Sequence, residues 1–440
     1  MKKPPKNQGG FDFSFVEPYI DDNGNPGVAI IWNGNVNNWT IAEMKANEEL
    51  SEAGEWFEEI YFSSARSPWR YPSPPVVPES FDDVRRLHID IQRCNDQYIE
   101  FPDSAWASVF ATWIMCSYLV PFIDRSPVLL IFGPSESGKG QVLDQVDRLA
   151  YRGTKMISPT SAVLFRWADK WGPTFALDEL QDLDRESYKA NMNMVKGAFD
   201  GTPVYRCMSD SHEPTSYQTR GFIALSLKGS HPAEDVKNRG ILFTMRRNEE
   251  PKDLVPDDSD EHRDLRARLI GLRLKMLTDD AFREEALKAA RERAAPEALG
   301  FDRRPRDIAL SLLLAAVLSG QEEELIETIG KSSSEARDED NSTFLARVQH
   351  GVEKEWEGRQ EQYLSILDIK SKVQYDMEGN GELKRSDILK TRTVTGAIKT
   401  LGYETVRRTA NAPFIDTLSK SNNAAYETNR KRYPLNREGE

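Results

Sequence analysis

Short apolar runs alternate with stretches of helical spacing across residues 80–257. Val128–Phe132 is apolar throughout, as a strand buried on both faces must be. Thr174–Leu177, Phe222–Leu227 and Ile241–Met245 repeat that pattern. Strands alternating with helices predict a parallel sheet in an α/β fold. Ahead of them, Ala105–Ile123 carries no charge and is long enough to span a bilayer. An apolar strand follows within a few residues, so the run predicts a helix buried against the sheet and no membrane partner.

The flanking regions differ. Residues 1–75 form an α+β region with no assignable chemistry. A turn at Asp22–Gly27 precedes a strand at Val28–Trp32, Ile41–Ile60 has helical spacing, and Tyr71–Pro75 reads as a linker. Residues 258–358 predict a helical lid or connector. Its helices are Arg266–Leu277, Ala281–Ala294, Asp307–Leu318 and Thr343–Trp356, with Ser332–Ser342 a polar surface connection. Residues 359–440 predict a small module. Tyr363–Val373 and Thr395–Leu401 are helical, Ser386–Asp387 caps a helix between them, and Tyr403–Arg408 pairs with Phe414–Leu418 around a turn at Thr409–Pro413. Three helices and a hairpin predict a winged helix.

Composition narrows the classes. A chain of 440 residues allows two or three domains, and 39% hydrophobic residues supply a core. A net charge of −13 excludes a nucleic-acid coat over the whole molecule, while leaving room for one basic face. Lys384–Arg432 is such a reversal, with eleven basic residues against four acidic. The three cysteines form no CxxC pair and the five histidines show no ligand spacing, so neither zinc nor a disulfide framework is expected. A reducing, cytoplasmic location is the simplest reading. The start, MKKPPKNQGG, lacks the apolar segment of a secretory signal.

The chemistry concentrates after the first apolar strand. Gly133-Pro134-Ser135-Glu136-Ser137-Gly138-Lys139-Gly140 matches G-x-x-x-x-G-K and leads into a helical stretch from Gln141. Glycines let a backbone wrap a phosphate with several N–H groups pointing inward, and a helix N-terminus adds positive potential. Lys139 is placed to contact the β- and γ-phosphates of ATP. The motif departs at Gly140, where Ser or Thr normally holds Mg2+. A water can fill that coordination place, since Mg2+ keeps waters readily. The other reading is a site that binds nucleotide and hydrolyses it slowly.

Phe175-Ala176-Leu177-Asp178-Glu179 supplies the partner acids about one βαβ unit later. Asp178 is a metal ligand candidate, directly or through water, and Glu179 a candidate to orient and activate the attacking water. A helix cap followed by an exposed acid is the plainer reading of the pair. Ser226, near the end of the third apolar run, is a candidate to touch the γ-phosphate or the water, with Lys228 as its alternative and an ordinary strand-end residue as the bland reading. Arg239 precedes the fourth run. It is either a surface arginine or a finger reaching a neighbouring subunit's γ-phosphate.

Together these residues resemble AAA+ ATPases, and more narrowly the superfamily 3-like helicase modules of viral and plasmid primase–helicases. The resemblance covers roughly residues 95–320. It rests on the apolar helix, GPSESGKG, Thr160–Arg166, FALDE and the arginine of Val-Lys-Asn-Arg-Gly-Ile. It implies a parallel-sheet P-loop core with a helical lid, a ring of identical subunits, commonly six, and a DNA single strand in the central channel. It also implies that Val204–Thr219 is a hairpin aimed into that channel, with Arg206 and His212 touching phosphates. Asp210 and Glu213 at the tip favour a plain surface hairpin instead. Arg306, with Arg303 and Arg304 as competitors, resembles a second nucleotide-sensing arginine. The residues before the linker are too few for a polymerising domain, so any primase is a separate partner.

Within the basic segment, a winged helix would present Thr395–Leu401 to a duplex groove and Arg407 and Arg408 on its wing. A solvated face or a protein-docking module is the plainer alternative. Three functions follow. The first is a ring-forming, ATP-driven DNA helicase of replication. The second is a nucleotide-dependent switch or loader that does not unwind, which Gly140 favours. The third is a small-molecule kinase, for which no acceptor site is apparent.

Overall fold

The computed structural model describes residues 11–32, 35–62, 83–134, 136–207, 214–227, 234–246, 252–294, 303–341, 344–357, 363–379, 389–407 and 413–433. The chain divides into two compact units, Met1–Gly330 and Lys331–Glu440.

The first unit opens with an antiparallel sheet of β1 (Phe11–Ile20), β2 (Pro26–Trp32) and β3 (Asn35–Thr40). The Asp21 carboxylate accepts from the backbone N–H groups of Asn23 and Asn25 and closes the β1–β2 turn. Only β2 was expected from the sequence. The helix expected over Ile41–Ile60 is two, α1 (Ile41–Ala46) and α2 (Ser51–Phe57), the second running on into a wider turn at Glu58–Phe62. Thr40 and Glu43 form a reciprocal cap at the start of α1. Asn47 ends it, its side chain accepting from the N–H groups of Glu49 and Leu50.

Next come α3 (Val84–Tyr98), α4 (Ser104–Tyr118), β4 (Val128–Phe132), α5 (Lys139–Leu149), β5 (Thr154–Ile157), α6 (Ser161–Trp171), β6 (Phe175–Asp178) and α7 (Arg185–Asp200). The hairpin of β7 (Val204–Cys207) and β8 (Pro214–Tyr217) follows, then β9 (Ile223–Leu227), α8 (Glu234–Lys237) and β10 (Gly240–Thr244). Five strands form a parallel sheet in the order β10-β4-β9-β6-β5. The α/β expectation holds, with one strand more than the apolar runs marked. That strand is β5, an edge strand whose Ile157 is 65% exposed, so it carries no continuous apolar run.

The uncharged segment forms α4, capped by Asp103 and buried from Ala107 to Tyr118. Trp113 is wholly buried and donates 2.8 Å to the Pro127 carbonyl. Its truncation to alanine would cost about 3–5 kcal/mol. Among the described residues no helix is long and apolar enough to cross a membrane. α9 (Asp260–Thr278), α10 (Asp280–Arg293), α11 (Arg303–Ser319) and α12 (Glu322–Asn341) complete the helical region. Buried residues of α3, α4, α9 and α11 share one core with one face of the sheet. The stretch expected as a polar connection after Gly330 stays helical to Asn341, having no glycine or proline to stop it.

In the second unit, α13 (Phe344–Glu357), β11 (Tyr363–Ser365), α14 (Ile366–Gly379), α15 (Thr391–Thr400), β12 (Thr405–Arg407), β13 (Pro413–Asp416) and α16 (Lys420–Arg432) follow in order. The three strands form an antiparallel sheet, β11-β13-β12, over a core that includes Val352, Ile369, Ile398 and Ile415. The segment read as helical from Tyr363 begins instead as β11, because Leu364 pairs with Ile415 and both are fully buried. The expected hairpin is present as β12 and β13. Its turn, and the Ser386–Asp387 cap, lie outside the described residues. The unit takes in Phe344–Glu357, which the sequence had grouped with the lid.

Candidate active site

The candidate phosphate loop, Gly133 to Gly140, leaves β4 at Gly133. A Cβ there would fall 2.4 Å from Ser137 Oγ and 2.8 Å from the Met245 carbonyl, so only glycine fits. The N–H of Met245 donates 2.6 Å to the Phe132 carbonyl, tying the start of the loop to the end of β10. Glu136 has φ +64 and Gly138 φ +78, two left-handed turns that fold the loop back on itself. Lys139 then opens α5. It is 7% exposed, and its Nζ donates to the carbonyls of Gly133 at 2.6 Å and Pro134 at 2.5 Å. Ser137 is buried beside it, its Oγ 3.5 Å from that Nζ. The ammonium therefore stands over the hollow of the loop, where the helix dipole also points.

Strand register brings the acids to the same place. β9 lies between β4 and β6. Leu129, Ile131, Ala176 and Ala224 pack in one core cluster, while Leu130, Phe175, Leu177 and Leu225 pack in the other. Continuing that alternation puts Asp178 and Ser226 on the first face. α5 covers that face with Val142, Leu143 and Val146. Lys139, Ser226 and Asp178 thus share one sheet face at the carboxyl ends of three adjacent strands, spanning about 10 Å.

Glu179 follows in a left-handed conformation, φ +54 and ψ +30. Three contacts hold it there. Its N–H donates 3.0 Å to Asp178 Oδ1, its carbonyl accepts from Ser158 Oγ at 2.8 Å, and the next residue, Leu180, is fully buried. Ser158 itself has φ +44, and its N–H donates 3.1 Å to the Asp178 carbonyl. A non-glycine residue in this region costs roughly 1–2 kcal/mol, and such strain gathers at functional sites. Sequence reasoning missed Ser158. Its one signal was the turn-forming pair Ser158-Pro159.

The other expected residues are distributed as follows. A Cβ on Gly140 would meet nothing within 4 Å, so packing does not impose the missing hydroxyl. Gln141 donates its side-chain N–H to the Asp253 carbonyl at 2.9 Å, tying α5 to the segment before α9. Arg239 lies at the opposite end of the sheet. Its carbonyl accepts from the N–H of Val128, the first residue of β4. A strand of that length separates it from its own phosphate loop by about 16 Å. Arg206 sits on the β7–β8 hairpin, its guanidinium 5.4 Å from the centre of the Phe165 ring. Ser135, His212, Lys228 and Arg408 lie outside the described residues, as do the side chains of Arg303, Arg304, Arg306 and Arg407.

Among the described residues no cluster of three or more metal-ligating side chains occurs. That donor set still suits Mg2+, which commonly takes one or two carboxylates and completes its shell with phosphate oxygens and waters. Asp178 is the candidate carboxylate; its Oδ1 already accepts the Glu179 N–H. In the second unit, α15 turns Val394, Ala397 and Ile398 to the core and exposes Arg392, Thr393, Lys399 and Thr400. Gly396 lies on that exposed side with open space above it.

No family model matches the sequence, and no curated protein matches it either. Among solved structures, the A form apo structure of the NrS-1 C terminal region is similar. The identity is 13% and the TM-score 0.36, over 91% of this chain and 96% of that one. At that score it identifies neither fold nor function.

Proposed function

We propose that this protein is a P-loop ATPase of the AAA+ kind, working in replication as a ring-forming, ATP-driven DNA translocase. The observation that carries the reading is the shared face of Lys139, Ser226 and Asp178 around the candidate phosphate loop, with Glu179 next in the chain. The sheet order supports it, since β9 alone separates the strand that leads into the loop from the strand that ends in the acids. In this reading Lys139 leaves the loop carbonyls for the β- and γ-phosphate oxygens. Asp178 holds Mg2+, which neutralises charge on the transferring phosphate when bound. Glu179 orients the attacking water, its carboxylate aimed by the strained backbone.

In this reading the subunits form a ring and Arg239 is the finger. It is remote from its own loop, so it can act on a γ-phosphate only from a neighbouring copy. The second unit supports the DNA reading. Its helices, antiparallel sheet and hairpin match a winged-helix order, and α15, which contains no acid, exposes Arg392 and Lys399. ATP turnover with and without single-stranded DNA, beside Lys139→Ala and Glu179→Gln, tests the proposal. DNA-stimulated turnover lost in both variants is expected. Tight nucleotide binding without turnover, unchanged by DNA, would sink it. That outcome would leave the switch or loader, which the bare Gly140 favours.

A further inference from the structure

At the other end of the sheet lies a cavity of about 440 Å3, the size of a small-molecule site. One wall comes from β1, α2 and the turn after α2. The other comes from the segments that lead into β5, β6 and β9. The phosphate loop, Asp178 and Ser226 sit at the carboxyl ends of the strands, so a strand length of about 15 Å separates the two places. Nothing in the proposed hydrolysis uses this cavity.

Its lining is aromatic and cationic. Trp56, Tyr61, Tyr151 and Trp171 face it, the Tyr61 and Trp171 rings 5.4 Å apart. Three arginines also line it. Arg152 is neutralised by Glu17, with 3.3 Å between guanidinium and carboxylate. Arg220 and Arg273 are not. Each donates to one backbone carbonyl, Arg220 to Asp124 and Arg273 to Tyr118, both at 2.6 Å. Each has a buried Nε with no hydrogen-bond partner, and neither pairs with a carboxylate among the described residues. Arg273 also lies over the Tyr151 ring at 4.4 Å. Both guanidinium groups are half-buried, and a fork with unused donors matches a carboxylate or phosphate. Aromatic walls beside it suit a flat ring.

We propose that this cavity binds a small aromatic anion, its ring against the aromatic walls and its phosphate or carboxylate on Arg220 and Arg273. The inference stands apart from the phosphate-loop reading. The test is calorimetric titration of the full chain carrying Lys139→Ala, which keeps the phosphate loop from answering. The probes are thymidine monophosphate, thymidine, inorganic phosphate and 2-naphthoate. Saturable one-to-one binding of thymidine monophosphate or 2-naphthoate is expected, with thymidine and phosphate at least tenfold weaker. The tighter of the two anions tells phosphate from carboxylate. Arg220→Gln and Arg273→Gln should each weaken that binding tenfold or more. Without ligand they should melt no lower than the parent, since each removes an uncompensated charge. Arg220→Lys and Arg273→Lys, which keep the charge and lose the fork, should weaken binding severalfold. Absence of saturable binding by both anions overturns the proposal. So does affinity unmoved in the Gln and Lys variants, or Gln variants that melt well below the parent while the Lys variants bind as it does.

Discussion

Glu179 joins a catalytic expectation to a measurable strain. Its backbone stands at φ +54, held by the Asp178 carboxylate, the Ser158 hydroxyl and the buried Leu180. Three substitutions separate the effects. Glu179→Gln keeps shape and strain and removes the charge. Glu179→Ala removes the side chain and keeps the strain. Glu179→Gly removes both. The left-handed conformation costs a non-glycine residue about 1–2 kcal/mol, and glycine returns about 0.5–1 kcal/mol of that through its unfolded-state entropy. The Gly variant should therefore be more stable than the Ala variant by roughly 0.5–1 kcal/mol, read by urea denaturation without nucleotide. Turnover should fall about 100- to 10,000-fold in all three variants, the range for losing a general base, with nucleotide binding retained. A Gly variant no more stable than the Ala variant would refute the strain argument. Near-normal phosphate release from Glu179→Gln would refute the catalytic assignment, whatever the stabilities.

Three further outcomes are expected. Gly140→Ser meets no atom within 4 Å, so it should raise stability by about 0.5 kcal/mol through helix propensity and lower the half-saturating Mg2+ concentration for hydrolysis severalfold, read by Mg2+ titration of turnover. Arg239→Ala should abolish turnover without loss of nucleotide binding; mixing it equally with Lys139→Ala should restore about a quarter of wild-type activity, because a ring then contains sites with an intact loop beside an intact arginine. His88 and His262 are buried, and desolvation holds both down to about 4 from 6.5. Between those values the unfolded chain binds their protons and the folded chain does not, so stability falls as pH falls. His88→Gln should remove about 1.4 kcal/mol per pH unit from that slope, measured by denaturation from pH 6.5 to 4.5.

Local chemistry made the candidate phosphate site stand out in the sequence. A fully apolar strand, a glycine-lysine loop and an apolar strand ending in two acids are each short and contiguous, and the alternation of side chains carries Asp178 and Ser226 to the face that α5 covers. The same contiguity explains what escaped. β5 is a half-exposed edge strand, β1 is broken by polar residues and Pro18, and β3 is partly exposed and rich in asparagine, so none leaves an apolar run. β11 reads as helix because its strand character comes from pairing with Ile415, roughly fifty residues away in the chain.

The cavity arginines show the limit most clearly. Arg152, Arg220 and Arg273 lie in unrelated segments, and no spacing rule connects them. They converge because the N-terminal sheet closes over the starts of the very strands whose far ends build the phosphate site. The parallel sheet therefore gives the first unit two chemically distinct ends. At the carboxyl end, a glycine-rich loop and one lysine form the candidate phosphate site, and contiguous sequence encodes them. At the amino end, three guanidinium groups, two of them without a carboxylate partner among the described residues, line an aromatic hollow, and only tertiary packing assembles them. Under the proposed reading, a residue such as Arg239, at that same amino end in its own chain, would act in catalysis only through a neighbouring copy. Its measured requirement for turnover, and its rescue in mixed assemblies, would therefore report on the ring as directly as on the residue.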